Sequence, residues 1–172
     1  VKTKNVEKVV RLFSDKVIKQ AIRNLEKQNK VDSGTLAQKL NYDLKVYPSG
    51  SLELKFKMPE YGLFQDKGVK GKKSGRKAYN SPYKFKSENI AEGVIEEWVK
   101  RKGIQGRDKK GRFINRKSLS FLIGRKIALF GLPATRFFSN AFRQHYRKLP
   151  KDFVRAYAND VSKFLTTATQ QI

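Results

Sequence analysis

The chain has 172 residues, no cysteine and one histidine, which excludes a disulfide framework, a thiolate metal site and a histidine-built metal cluster. Hydrophobic residues at 38% supply one real core, and the length suits a single domain over residues 1–172. Lys and Arg number 39 against 15 Asp and Glu, a net charge of +24 that exceeds any need for solubility and points to a polyanionic or acidic neighbour. No apolar run approaches the roughly 18 residues of a membrane span, and no signal-peptide pattern opens the chain. A soluble protein made in a reducing cytoplasm is expected. With Val1 in place of Met, removal of an initiator or of a longer leader is an expectation only.

Val6, Val9, Val10, Phe13, Val17, Ala21 and Leu25 recur at helical spacing, predicting an amphipathic helix over residues 4–29. Asp32-Ser33-Gly34 breaks it, and Ser33 is placed to cap a short turn through Leu40. Tyr42, Leu44 and Val46, then Leu52, Leu54, Phe56 and Met58, alternate with polar residues around Pro48-Ser49-Gly50. That pattern is an antiparallel hairpin over 41–58. The stretch Tyr61–Phe85 begins with an apolar turn at Tyr61, Leu63 and Phe64. It then enters a basic, glycine-rich arm at about 67–80 and returns to aromatics at Tyr79, Tyr83 and Phe85. Tyr61, Phe64, Asp66, Gly68, Tyr83 and Phe85 are its expected anchors, and its centre is expected to be mobile.

Ile90, Val94, Ile95, Trp98 and Val99 predict a helix over 88–102, with Ser87 as N-cap and Gly103 at its stop. A second basic arm follows at about 103–117, with Phe113 and Ile114 expected to pin it to the body. Ser118 is expected to open a helix ending at Gly131. Pro133 fits the first turn of a further helix containing Phe137, Phe138, Ala141 and Phe142. Pro150 starts the last helix, with Phe153, Tyr157, Val161, Phe164 and Leu165 along one face. That face suits either the chain's own core or a neighbouring subunit. The order implies an α+β fold: an N-terminal helix, a small antiparallel hairpin, and a helical C-terminal half with long basic loops.

Chemistry is sparse. Asp43, Glu53 and Lys55 have the spacing of a Mg²⁺-dependent nuclease: carboxylates for the metal and a cation near the scissile phosphate. Strand alternation alone also puts Glu53, Lys55 and Lys57 on one wet face. The Gly68–Gly75 loop lacks the glycine spacing and the Lys-Ser/Thr ending of a phosphate-binding loop. His145 has no nucleophile beside it, and Glu96-Glu97 are adjacent rather than face-sharing. Neither a metal nor a cofactor is expected, nor an enzyme. The basic residues Lys67, Lys70, Lys72, Lys73, Arg76 and Lys77, and Arg107, Lys109, Lys110 and Arg112, suit contact with acidic partners or with phosphates. No DNA- or RNA-reading module accompanies them, so nucleic-acid contact would be to the backbone without sequence choice. The aromatic rings flanking the arms are expected as core anchors rather than as stacking platforms.

The order SGTLAQKL (33–40), alternating hairpin, PEYGLFQDKGVKG (59–71) resembles the head–tail connector and tail-completion (neck) proteins of tailed bacteriophages. SPYKFK, IEEWVKRKGI, RDKKGRF, the FLIGRKIALFGLPATRFF run and the closing helix resemble longer members of that family. The resemblance implies a non-enzymatic virion protein that forms a homo-oligomeric ring at the portal–tail junction. Its implied partners are portal and other neck or tail proteins, with the backbone of packaged DNA as a further contact. Gly34, Leu36, Tyr61, Asp66, Gly68 and Gly71 match as fold and loop determinants; the basic content of 67–77 and 100–117 departs from the family pattern. The alternatives are a sequence-nonspecific nucleic-acid-binding protein and, ranked below it, a Mg²⁺-dependent nuclease using Asp43, Glu53 and Lys55.

Overall fold

The computed structural model describes residues 3–31, 33–90 and 93–169. Val1, Asp32 of the first break and residues 91–92 of the expected 88–102 helix lie outside these. Among the described residues the chain forms α1 (Lys4–Lys27), α2 (Thr35–Lys39), β1 (Asn41–Val46), β2 (Leu52–Lys57), α3 (Glu60–Lys67), α4 (Val94–Arg101), α5 (Arg116–Phe130), α6 (Phe137–Tyr146) and α7 (Leu149–Thr169). The fold is α+β, with β1 and β2 as a two-stranded antiparallel sheet. It divides into two compact units: unit 1, Val1–Gly62 with Arg136–Ile172, and unit 2, Leu63–Thr135. No helix among the described residues is long and apolar enough to cross a membrane.

Unit 1 is built on α1. Its apolar spacing puts Val6, Val10, Phe13, Val17, Ala21 and Leu25 on one buried face. Against that face pack Phe137 and Ala141 of α6, both fully buried, and Leu36 and Leu40. Burying a side chain such as Phe137 contributes roughly 1.5–3 kcal/mol. In the hairpin Tyr42 faces Phe56, Leu44 faces Leu54 and Val46 faces Leu52, so one face is apolar throughout. Phe56 delivers that face to the core, edge-on to Phe13, Phe138 and Phe142 at centroid distances of 6.3, 5.2 and 6.1 Å. Ser33 does not cap α2 as expected. Gly34 holds the N-cap position at φ 76°, and the Ser33 hydroxyl instead meets that of Thr35 at 2.8 Å.

The N-terminus of α1 is capped from the other end of the chain. Thr3 makes no side-chain cap. The Asp160 carboxylate of α7 accepts from the Asn5 backbone N–H at 3.0 and 3.1 Å, from Asn5 Nδ2 at 2.7 Å and from the Val6 N–H at 3.1 Å. It does what an N-cap aspartate does, and puts a negative group at the positive end of the helix. The buried face of α7 is therefore Ala156 and Asp160.

In unit 2, α4 is shorter than expected. It starts after Gly93, and the Ser87 hydroxyl accepts from the Asn89 N–H in a turn instead of capping the helix. Its end is a Schellman motif: Gly103 N–H donates to the Lys100 carbonyl at 3.2 Å and Ile104 N–H to that of Val99 at 3.1 Å. Helix α5 opens two residues before the expected Ser118. Asn115 is the cap, its side-chain oxygen accepting from the Lys117 N–H at 2.9 Å. The segment expected as an apolar turn at 61–64 is helical, within α3. Pro133 lies before α6 rather than in its first turn, and Arg136 at φ 52° precedes the helix.

Candidate assembly and polyanion surfaces

A helix leaves its last four carbonyls without helical partners. At the end of α5 the Gly131 N–H takes the carbonyl of Ile127 at 2.7 Å. The basic loop supplies the next donors: Lys72 N–H to Ala128 at 2.9 Å, then Lys73 and Ser74 N–H to Leu129 at 3.0 and 3.2 Å. The loop is thus the C-terminal cap of α5, and it brings two lysines to the negative end of the helix dipole. Gly71 makes this possible, because a Cβ there would sit 2.2 Å from the Leu129 carbonyl oxygen. Gly131, at φ 81°, would bring a Cβ 2.3 Å from the Val69 oxygen.

The two strands of this crossing are tied further. Val69 and Leu132 exchange N–H to carbonyl bonds at 3.0 and 2.8 Å. Lys70 donates to the Tyr83 carbonyl and accepts from the Phe85 N–H, each at 2.9 Å. The centre expected as a mobile arm is therefore a loop bonded on both sides. Its amides at 72–74 point at helix carbonyls, not into a phosphate cradle.

Lys67, Lys72, Lys73, Arg76 and Lys77 remain exposed on this loop, and Lys70 is half-buried. Lys72 pairs with Glu88 at 3.0 Å and holds that carboxyl below its ordinary pKa. Among the expected anchors, Phe64 stands edge-on to Tyr83 with centroids 4.7 Å apart, while Asp66 and Gly68 are buried. Phe85 is half-buried and Tyr61 is exposed on α3. Sequence reasoning missed Ser81, whose buried hydroxyl donates to the Gly68 carbonyl at 2.6 Å and accepts from the Tyr83 N–H at 3.1 Å.

The second arm is a closed turn. Asp108 accepts from the N–H groups of Lys110 and Arg112 at 2.8 and 2.9 Å and from Arg112 Nε at 3.0 Å. The Arg112 backbone N–H is the main cause of a lowered Asp108 pKa. Arg107 lies 3.9 Å from the centre of the Phe113 ring and donates to the Gly111 carbonyl at 2.8 Å. Phe113 is 63% exposed, so it does not pin the turn to the body as expected. The exposed cations Arg107, Lys109, Lys110 and Arg112 surround an open ring instead of a core anchor. Tyr79, 81% exposed on the first loop, departs from the core-anchor expectation in the same way.

On the hairpin, Asp43 pairs with Lys57, and Glu53 with Lys55 at 2.7 Å. Lys55, followed by the Tyr47 hydroxyl at 2.9 Å, lowers the Glu53 pKa. The charges neutralise in cross-strand and same-strand pairs on an exposed face. Among the described residues no group of three His, Cys, Asp or Glu could hold a metal ion.

Helix α7 carries a largely exposed apolar face. Val154, Tyr157, Phe164 and Leu165 are 67, 50, 51 and 57% exposed. With half-buried Val161 and exposed Ala158 and Ala168 they make a stripe without a charged residue, roughly 20 Å long at 1.5 Å per residue. Val154, Tyr157, Val161, Phe164 and Ala168 alternate at spacings of three and four, as in a coiled-coil seam. No family model, curated protein or solved structure matches this chain.

Proposed function

We propose that this chain is a structural assembly subunit whose work is binding rather than catalysis. More particularly, we read it as a head–tail connector or tail-completion protein of a tailed bacteriophage, located in the virion. Copies form a ring at the portal–tail junction around the DNA path, and portal and other neck or tail proteins are its neighbours. The observation that carries the reading is the uncharged apolar stripe on α7, left in solvent on a chain of net charge +24. Exposed apolar patches of this kind mark protein contacts. The order of the sequence features points to the particular family.

The test combines hydrodynamics with imaging. Analytical ultracentrifugation of the purified chain should show a closed oligomer, and Phe164→Glu with Leu165→Glu should return it to monomer with unchanged circular dichroism. Labelled antibody should decorate the portal–tail junction of particles. A chain that stays monomeric at high concentration and is absent from particles overturns the reading.

A second reading has its own support. Tyr79 and Phe113 stand open beside the two basic clusters, an arrangement suited to phosphate contact with ring stacking on exposed bases. A sequence-nonspecific nucleic-acid-binding protein would bind DNA as a monomer, with affinity falling steeply in salt. It would lose single-strand preference on Tyr79→Ala with Phe113→Ala.

A further inference from the structure

Helices α1 and α7 of unit 1 pack antiparallel: Asn5 meets Asp160, Val10 shares a buried cluster with Ala156, and Phe13 one with Leu149. A groove of about 330 Å³ runs beside this contact as far as the end of α6. Its floor is apolar, made by Val9, Leu12, Phe13 and Leu149, and Leu12 is 48% exposed. Its walls are cationic. Lys8 and Lys16 rise from α1, two helical turns and roughly 12 Å apart. Lys148 and Arg155 rise opposite. All four are exposed, and among the described residues none enters an ion pair. Among the described residues Asp152 is the one acidic side chain lining the groove.

We propose that this groove docks an acidic amphipathic helical segment of a partner protein. Apolar side chains of the segment cover Leu12 and Val9, and its carboxylates meet Lys8, Lys16, Lys148 and Arg155. Two features together select this occupant. Four exposed cations on the walls against one aspartate call for an occupant rich in carboxylates, which the uncharged stripe of α7 on a second copy does not supply. The apolar floor separates a peptide from a nucleic acid, since a phosphate backbone satisfies the lysines and leaves Leu12 in water. Helix-in-groove recognition uses this combination of apolar anchors and flanking charge. The inference concerns unit 1 alone and stands apart from ring assembly.

His145 supplies an internal reporter, as the one histidine of the chain and a lining residue of this groove. Its burial, with Lys16 and Lys148 nearby, holds the imidazole below its ordinary pKa. A docked segment changes both that burial and the charge around those lysines, so the imidazole senses its arrival.

The probe is a fluorescein-labelled peptide of about four helical turns, with Leu at i, i+3, i+4 and i+7 and Glu at the flanking positions. Anisotropy is read on the full chain at about 0.15 M salt. Leu12→Gln and the pair Lys8→Glu with Lys16→Glu should each weaken binding by at least about tenfold. The control pair Lys109→Glu with Lys110→Glu, equal in charge change, should alter it by less than about twofold. The His145 imidazole resonances should move on titration with the peptide. Circular dichroism checks each variant, and Leu12→Ser replaces Leu12→Gln if the latter misfolds. Equal binding by a peptide with Ser at every Leu position refutes the proposal, because the floor is then unused. So does a DNA duplex that competes in a Lys8-dependent but Leu12-independent manner. A His145 signal that stays fixed on peptide binding refutes it as well.

Discussion

Replacing Asp160 by Ala removes the cap that α7 places on α1. Two consequences add. Loss of an N-cap carboxylate costs about 1 kcal/mol. The Asn5 N–H is half-buried and regains water, but Val6 is 1% exposed, so its N–H is stranded at a further cost of about 2 kcal/mol. The expected destabilisation is therefore about 3 kcal/mol. For a unit of roughly 100 residues it lowers Tm by about 12–24 °C. Urea unfolding followed by circular dichroism at neutral pH measures it directly. Asp160→Asn keeps one acceptor oxygen and should lose about half as much. Asn5→Ala added to Asp160→Ala should change little, since its partner is already gone. An Asp160→Ala protein within about 0.5 kcal/mol of the parent would refute the trans-capping argument.

Gly71→Ala should push the basic loop off the α5 carbonyls and destabilise unit 2 by about 2–3 kcal/mol. The change would be read from the fluorescence of Trp98, the chain's one tryptophan, and from faster tryptic cleavage at Lys72 and Lys73. Gly103→Ala, where a Cβ meets nothing within 4 Å but φ is 62°, should cost only about 1 kcal/mol. Asp108→Ala should open the 107–113 turn to trypsin. In the parent protein the turn should hold above the ordinary Asp pKa and loosen as pH falls through the lowered folded value. Folding also favours neutral His145. Its stability contribution is full above the ordinary histidine pKa and is lost as pH drops through the lower folded value. His145→Gln should flatten that acid-side decline in the urea midpoint.

Much of the fold was legible because α1 and the hairpin carry their burial in their own periodicity. Val6 to Leu25 repeat on one helical face, and Leu44, Leu54 and Phe56 alternate as a half-buried strand must. The α7 stripe was equally visible, but periodicity marks a face as apolar without saying whether core or partner covers it. The buried side of α7 turned on Asp160, which any sequence reading places in water. The fate of the basic loop depended on Gly71 meeting Leu129, a backbone crossing between segments some sixty residues apart. Local composition records the glycine but not what approaches it. Phe113 was misplaced for a related reason: Arg107 covers one side of the ring locally, with no core beneath it.

The discontinuity of unit 1 constrains how the chain can be made. Unit 2 is one uninterrupted stretch, so its partners all leave the ribosome within a short interval. Helix α1 emerges before the rest of unit 1, yet its inner face waits for Phe137 and Ala141 and its leading end waits for Asp160. Domains fold as units during synthesis, and early exposed apolar surface invites aggregation. Until the closing helix appears, Val6, Val10 and Phe13 form a sticky surface on a nascent chain. The vectorial order of synthesis thus makes the opening helix of unit 1 the last to be sealed, and a ribosome stalled before Asp160 would present it to chaperones.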